Sequence, residues 1–255
     1  MKKFITLFFV LFLVSSLTGC GDDNVSTTSV IPKVFVTSGH PEWWPFMYQG
    51  TGVGYDVLSK VASMSNFSVK YENVGDWESV LEAGKNGTVD IFLAYKTNER
   101  EEYCEFSRPV AADPVAIFVK AGNNFSYSEW EDLIGKKGVV MTSDSYGQQL
   151  DDYIVANLTV VEVNTSAEAF ELLANGQADY FFYSYYAGIK EISDKYKGLY
   201  ESLPVYASTE YFYFAISKKS SLVAYLPQIN EAIEKCKNDG TIDKMLEGYL
   251  QQLKK

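Results

Sequence analysis

Arginine is the scarce cation in this 255-residue chain: of 22 basic side chains, 20 are Lys and only Arg100 and Arg108 are Arg. A planar guanidinium grips a carboxylate through two parallel hydrogen bonds, which a lysine ammonium does not reproduce. Arg100 follows the apolar run Asp90-Ile91-Phe92-Leu93-Ala94. It therefore stands past the carboxyl end of an expected strand, where α/β sheets place ligands. The competing use is a surface Arg paired with Glu99, Glu101 or Glu102. A second candidate is Ser143-Asp144-Ser145-Tyr146-Gly147, which follows the strand Val139-Val140-Met141 and opens a helix with Ser145 as its cap. Free N–H groups at a helix start attract anions, although most such loops bind only their own cap. Third come the aromatics. In His40-Pro41-Glu42-Trp43-Trp44-Pro45-Phe46, two adjacent Trp in a loop cannot both face one core. Rings recur at Phe181 to Tyr186 and at Tyr211 to Phe214. Their default use is packing, but Tyr and Trp also suit pockets where a ring stacks and a polar tip bonds.

Composition excludes several chemistries. The net charge of -11 leaves no basic stripe for a phosphate backbone, which argues against nucleic acid. One His and three Cys cannot build most His/Cys metal sites, and a Ser-His-Asp triad would have to run through His40 alone. No metal or other cofactor is expected. At 47% hydrophobic residues the chain is globular, with room for one large or two small domains.

Residues 1–19 are an address rather than part of the fold. Lys2 and Lys3 precede the short apolar run Phe4 to Val14, and small residues follow, as in a secretory signal. The run falls short of the roughly 20 residues that span a bilayer. Leu17-Thr18-Gly19-Cys20 resembles the bacterial lipobox, which implies cleavage before Cys20 and lipid on its thiol. An acyl anchor would hold a soluble body beside the membrane, on a polar tether over residues 20–32. Cys104 and Cys236 sit among apolar neighbours and are expected as buried thiols.

The elements that must position these residues alternate. Strands are expected at Val34 to Thr37, Ser68 to Tyr71 and Asp90 to Ala94. Helices are expected at Asp56 to Met64, with Val57, Leu58, Val61 and Ala62 on one face, and at Trp77 to Lys85 behind an Asp76 cap. Ser128-x-x-Glu131, Ser145-x-x-Gln148 and Thr165-x-x-Glu168 fit capping boxes. The alternation predicts an α/β fold with mostly parallel sheets. Asn86-Gly87-Thr88-Val89-Asp90 also recurs as Asn175-Gly176-Gln177-Ala178-Asp179, each copy following a helix and opening a strand. That echo points to two similar lobes, and domain interfaces are a usual place for small-molecule sites.

From about Lys33 to Tyr249 the chain resembles the type II periplasmic binding proteins, specifically the solute-binding family serving polar amino-acid ABC importers. Pro45-Phe46, Gly54-Tyr55-Asp56-Val57, the Trp77 to Asp90 segment and Asp239-Gly240-Thr241 are similar to that family's pattern. Thr97-x-x-Arg100 followed by Phe106-Ser107-x-Pro109 is the most specific stretch. The resemblance implies two lobes, residues 33–116 with 212–255 and residues 117–211. They would be joined by hinge strands near Ala116 to Val119 and Ala207 to Phe212. It implies that Arg100 holds a ligand carboxylate with N–H groups of Asp144, Ser145 and Tyr146, and that Trp43 and Trp77 lie along the ligand. Two departures stand out. Ser184 takes the place of an acid that pairs with the ligand ammonium, and the segment before Thr97 is two residues short, which turns Tyr95 toward the cleft.

The reading that follows is a monomeric, extracytoplasmic, membrane-anchored lipoprotein. It captures an amino acid or related small carboxylate between its lobes and presents it to an ABC permease or a sensor receptor. Its expected contacts are Glu42, Trp43, Trp77, Tyr95, Arg100, Asp144, Ser145, Tyr146 and Ser184. Two alternatives stay open: a prephenate-type dehydratase on the same scaffold, with Glu42, His40 or Glu210 as the acid, and a structural lipoprotein without ligand.

Overall fold

The structure, a computed structural model, describes residues 33–254. The signal segment, Cys20 and the tether to residue 32 lie outside the described residues. Strand β1 (Lys33–Thr37) leads into a loop that folds back on itself before helix α1 (Val53–Met64). The helix starts three residues earlier than its apolar periodicity predicts, because the loop fixes its first turn. Val53 N and Gly54 N donate to the carbonyls of Pro45 and Phe46, each at 2.8 Å. Gly52 makes this possible at φ 121, and a Cβ there would meet those two carbonyl oxygens at 2.7 and 2.6 Å. The loop carrying Trp43 is thus bound to the helix start.

Strand β2 (Phe67–Tyr71) and helix α2 (Trp77–Asn86) follow. The Asp76 carboxylate accepts from Ser79 N at 2.9 Å, the cap expected from sequence. Strand β3 (Ile91–Tyr95) is buried throughout, and helix α3 (Asn98–Tyr103) begins directly after it. The Thr97 hydroxyl caps that helix by accepting from Arg100 N at 3.2 Å, which sets Arg100 in the first turn, over the end of β3. Strand β4 (Cys104–Phe106) and the long strand β5 (Ala111–Lys120) continue the chain.

The second half repeats the pattern with β6 (Lys137–Met141), α4 (Gln148–Asn157), β7 (Thr159–Val163), α5 (Ser166–Ala174), β8 (Tyr180–Ser184) and α6 (Tyr185–Lys195). Strands β9 (Tyr200–Ser202) and β10 (Ser208–Ser217) return to the first half, where α7 (Leu226–Asn238) and α8 (Thr241–Leu250) pack on α1. The ten strands of the described residues join one sheet, whose main path is β2-β1-β3-β10-β5-β8-β6-β7. Strands β1, β2 and β3 pair in parallel, as do β6, β7 and β8, which is the α/β architecture the alternation predicts. Antiparallel β5 and β10 cross between these groups. They bond to each other over Ala111 to Val115 and Ser208 to Phe212, so the first crossing segment lies a few residues before Ala116 to Val119.

The repeated Asn-Gly-x-x-Asp motif has one physical role in both halves. Asp90 accepts from Val36 N on β1 at 2.7 Å, and Asp179 accepts from Lys137 N on β6 at 2.7 Å. Each Asp thereby stitches the start of its strand to a parallel neighbour. Of the three expected capping boxes, only Thr165 with Glu168 forms as read. The box near residue 130 is made one position later by Glu129 and Asp132, and α4 starts at Gln148 behind Gly147 rather than from Ser145. Cys104 and Cys236 are both buried, on β4 and α7.

Candidate ligand-binding site

Between the two halves lies a cavity of ≈ 40 Å³, lined by His40, Trp43, Trp77, Ala94, Tyr95, Arg100, Val115, Asp144, Ser145, Tyr146, Tyr183 and Ser184. That is room for a few water-sized molecules. Of the nine contacts expected from sequence, eight stand on this wall. Glu42 does not: its carboxylate turns away to Ser166 N at the first turn of α5, at 3.3 Å.

Among the described residues, Arg100 is the only cationic side chain on the cavity wall, and it is 5% exposed. It does not pair with Glu99, Glu101 or Glu102. One guanidinium nitrogen donates to the Tyr95 carbonyl at 3.0 Å and another to the Ser143 carbonyl of the second half at 3.2 Å. Its guanidinium carbon lies 5.4 Å from the centre of the Trp77 ring, which backs it as a cation–π partner. Trp77 Nε1 donates to the same Ser143 carbonyl at 3.0 Å. A guanidinium has five N–H donors, so Arg100 keeps donors for a carboxylate after holding both carbonyls.

The loop opposite is less free than its sequence suggests. Asp144 N donates to Met141 O at 3.2 Å, and Tyr146 N donates to Asp151 at 2.7 Å. Ser145 Oγ also donates to Asp151, at 2.5 Å. Of the three expected anion donors, only Ser145 N lacks a partner among the described residues. Asp151 takes the cap role six residues on, outside the reach of any capping-box offset.

Asp144 puts a carboxyl on the second-half wall. Burial pushes the Asp144 carboxyl up to about 7, despite the favourable charge of Arg100, with Asp151, Glu42 and Asp113 adding to the rise. His40 Nε2 lies 3.6 Å from it. Burial, and then Arg100, lowers His40 to about 3, so the ring is neutral at physiological pH and holds no imidazolium proton to donate. The two tryptophans divide as the sequence requires. Trp43 faces the cavity, while Trp44 packs away from it with Lys190 Nζ 5.9 Å from its ring centre.

The family profile described as bacterial extracellular solute-binding proteins, family 3, matches residues 36–252. The chain belongs to this family. It is similar to the amino-acid-binding protein AabA of Dichelobacter nodosus, 25% identical over 217 residues, covering 82% of this chain and 84% of that protein. It is also similar to the probable amino-acid-binding protein YxeM of Bacillus subtilis (strain 168), 26% identical over 266 residues with 99% and 96% covered. Among solved structures, an ancestral arginine-binding protein bound to glutamine superposes with a TM-score of 0.69 at 25% identity, covering 85% of this chain and 97% of that one. The fold is that of the type II periplasmic binding proteins.

One residue of this solute-binding protein escaped the sequence reading. Asp113, on the crossing strand β5, is 0% exposed and accepts three hydrogen bonds. They come from Trp43 Nε1 at 2.7 Å, Tyr95 OH at 2.7 Å and Ser184 Oγ at 2.9 Å, all from the cavity wall. A lone acid in the apolar strand run Val110 to Val119 was the available signal.

Further contacts tie the halves together. Tyr183 OH donates to the Glu42 carbonyl at 3.1 Å, and Asn98 N donates to Gln148 Oε1 at 2.9 Å. A carboxylate at a helix N-terminus contributes about 0.3–1 kcal/mol. Glu42→Ala should therefore favour the parted arrangement and weaken ligand binding about two- to fivefold. Calorimetry checks this; an unchanged Kd would show that the Ser166 contact does not hold the halves.

Proposed function

We propose that this solute-binding protein captures an α-amino acid between two lobes that close about the crossing segments of β5 and β10. The lobes are residues 33–116 with 212–255, and 117–211. Arg100 takes the ligand carboxylate, with Ser145 N as a second donor, and Trp43 and Trp77 flank the rest of the molecule. The observation that carries this reading is Arg100 itself: an almost fully buried guanidinium, with unused donors, on the wall of an inter-half cavity. Closure removes water around these charges and strengthens their attraction. The bridges through Ser143, Ser166 and Gln148 describe how a closed state is held. Relatives with amino-acid-binding names, and a similar structure bound to glutamine, support the ligand class.

Cys20 would carry lipid, residues 20–32 would tether the body outside the cytoplasm, and the loaded form would dock on an ABC permease. Titration of the purified protein with each of the twenty L-amino acids tests the receptor reading. We expect a restricted set to bind with measurable heat and a raised melting temperature. No response to any of them would overturn it. In cells, Cys20→Ala should move the protein from the membrane to the soluble fraction; continued membrane retention would remove the anchor.

A further inference from the structure

We infer that Asp113 is the specificity-determining anion of the site: it acts through the hydroxyls of Tyr95 and Ser184 to select ligands that carry an ammonium group beside their carboxylate. This rests on the receptor reading above and adds to it a charge that Ser184 lacks.

The geometry runs as a relay. Asp113 is sealed from solvent and does not line the cavity. Tyr95 and Ser184 do line the cavity, and each spends its single hydroxyl proton on Asp113. A hydroxyl that donates away from the cavity has only lone pairs left to offer. The two oxygens can therefore only accept hydrogen bonds from a ligand, and hydrogen bonding to an anion polarises them toward acceptance. A ligand N–H donor satisfies them, and an ammonium also meets the charge behind them. Trp43 Nε1 completes the carboxylate's shell from the first half. Burial raises the Asp113 carboxyl to about 6 while its three donors hold it down, so it is mainly anionic at neutral pH.

The opposite pole is Arg100, whose guanidinium rests on the backbone carbonyl of the same Tyr95 that bonds Asp113 through its hydroxyl. One cation and one relayed anion complement a zwitterion, and the Asp144 carboxyl on the same wall is common to the wild type and both variants compared below. A carboxylate without the amine would leave two polarised oxygens unpaired, and sites built to hydrogen-bond a missing group reject such analogues strongly.

The test compares the L-amino acid that the wild type binds most tightly with its des-amino counterpart, by calorimetry at pH 7.5. For glutamine the counterpart is glutaramic acid; for arginine it is 5-guanidinopentanoic acid. The wild type should prefer the amino acid by at least about 100-fold. Asp113→Asn should cut that ratio at least tenfold, and so should the double variant Ser184→Ala with Tyr95→Phe, which leaves the carboxylate in place. Loss of discrimination in both supports the relay. Retention of the ratio in either folded variant overturns it while leaving the receptor reading intact. If Asp113→Asn does not fold, the double variant decides alone. A wild type that binds no amino acid overturns the receptor reading instead, and this inference with it.

Discussion

Replacing Arg100 by Ala is expected to weaken amino-acid binding at least tenfold, and Arg100→Lys is not expected to restore it. Truncating one partner of a desolvated charge pair costs about 2–5 kcal/mol, and tenfold corresponds to about 1.4 kcal/mol. The side chain is 5% exposed, so a bound carboxylate would lose its main counter-charge in a site with little water to replace it. Lys fails for a geometric reason. The guanidinium holds the carbonyls of Tyr95 and Ser143 at once and still has unused N–H donors for a third acceptor. An ammonium cannot present parallel donors to a carboxylate while holding both. The measurement is calorimetric Kd for the tightest-binding L-amino acid, with melting curves to confirm folding. An unchanged Kd in Arg100→Ala would take Arg100 out of the ligand's reach.

The second large effect is on stability, at Asp144. Its carboxyl is raised to about 7 by burial, so the folded protein holds this proton more tightly than the unfolded chain does. Its stabilising share is full below the unfolded value near 4 and is lost as pH rises through about 7. His40, lowered to about 3, works in the opposite direction between that value and its ordinary 6.5. Comparing wild type with Asp144→Asn at each pH isolates the carboxyl. The side chain keeps 19% of its surface exposed, which limits the full effect of burial. The variant should be more stable by about 1–3 kcal/mol at pH 8, with the gain shrinking toward zero by pH 4. Urea melts across this range provide the check. A pH-independent difference, or a loss of stability at pH 8, would show that the carboxylate is compensated in the folded state.

Much of the scaffold was legible because its signals are local. The Asp76 cap, the Thr165 box and the repeated Asn-Gly-x-x-Asp each involve groups a few residues apart or at a strand edge. The start of α1 was not legible, since it depends on the loop bonding back through Gly52. The wall of the site was largely readable, because ligand groups gather past strand ends and Arg is rare here. Its electrostatics were not. Glu42 leaves the cavity for a helix start in the other half, 124 residues away in sequence. Tyr146 N is taken by Asp151, and Ser184 obtains a carboxylate from a strand 71 residues earlier. The Glu42 and Ser184 pairings exist only after the halves meet, and Asp151 sits at no capping-box offset from the loop it holds, so no periodicity or cap offset announces them.

The pairing of β5 with β10 has a mechanical consequence. Two antiparallel crossing strands that hydrogen-bond to each other form a ribbon, which twists readily while its ladder resists extension. Under the proposed closure, movement of one half against the other would be converted into a turn, with little change in their separation. A docking partner touching both halves could read that orientation as occupancy without ever contacting the captured molecule.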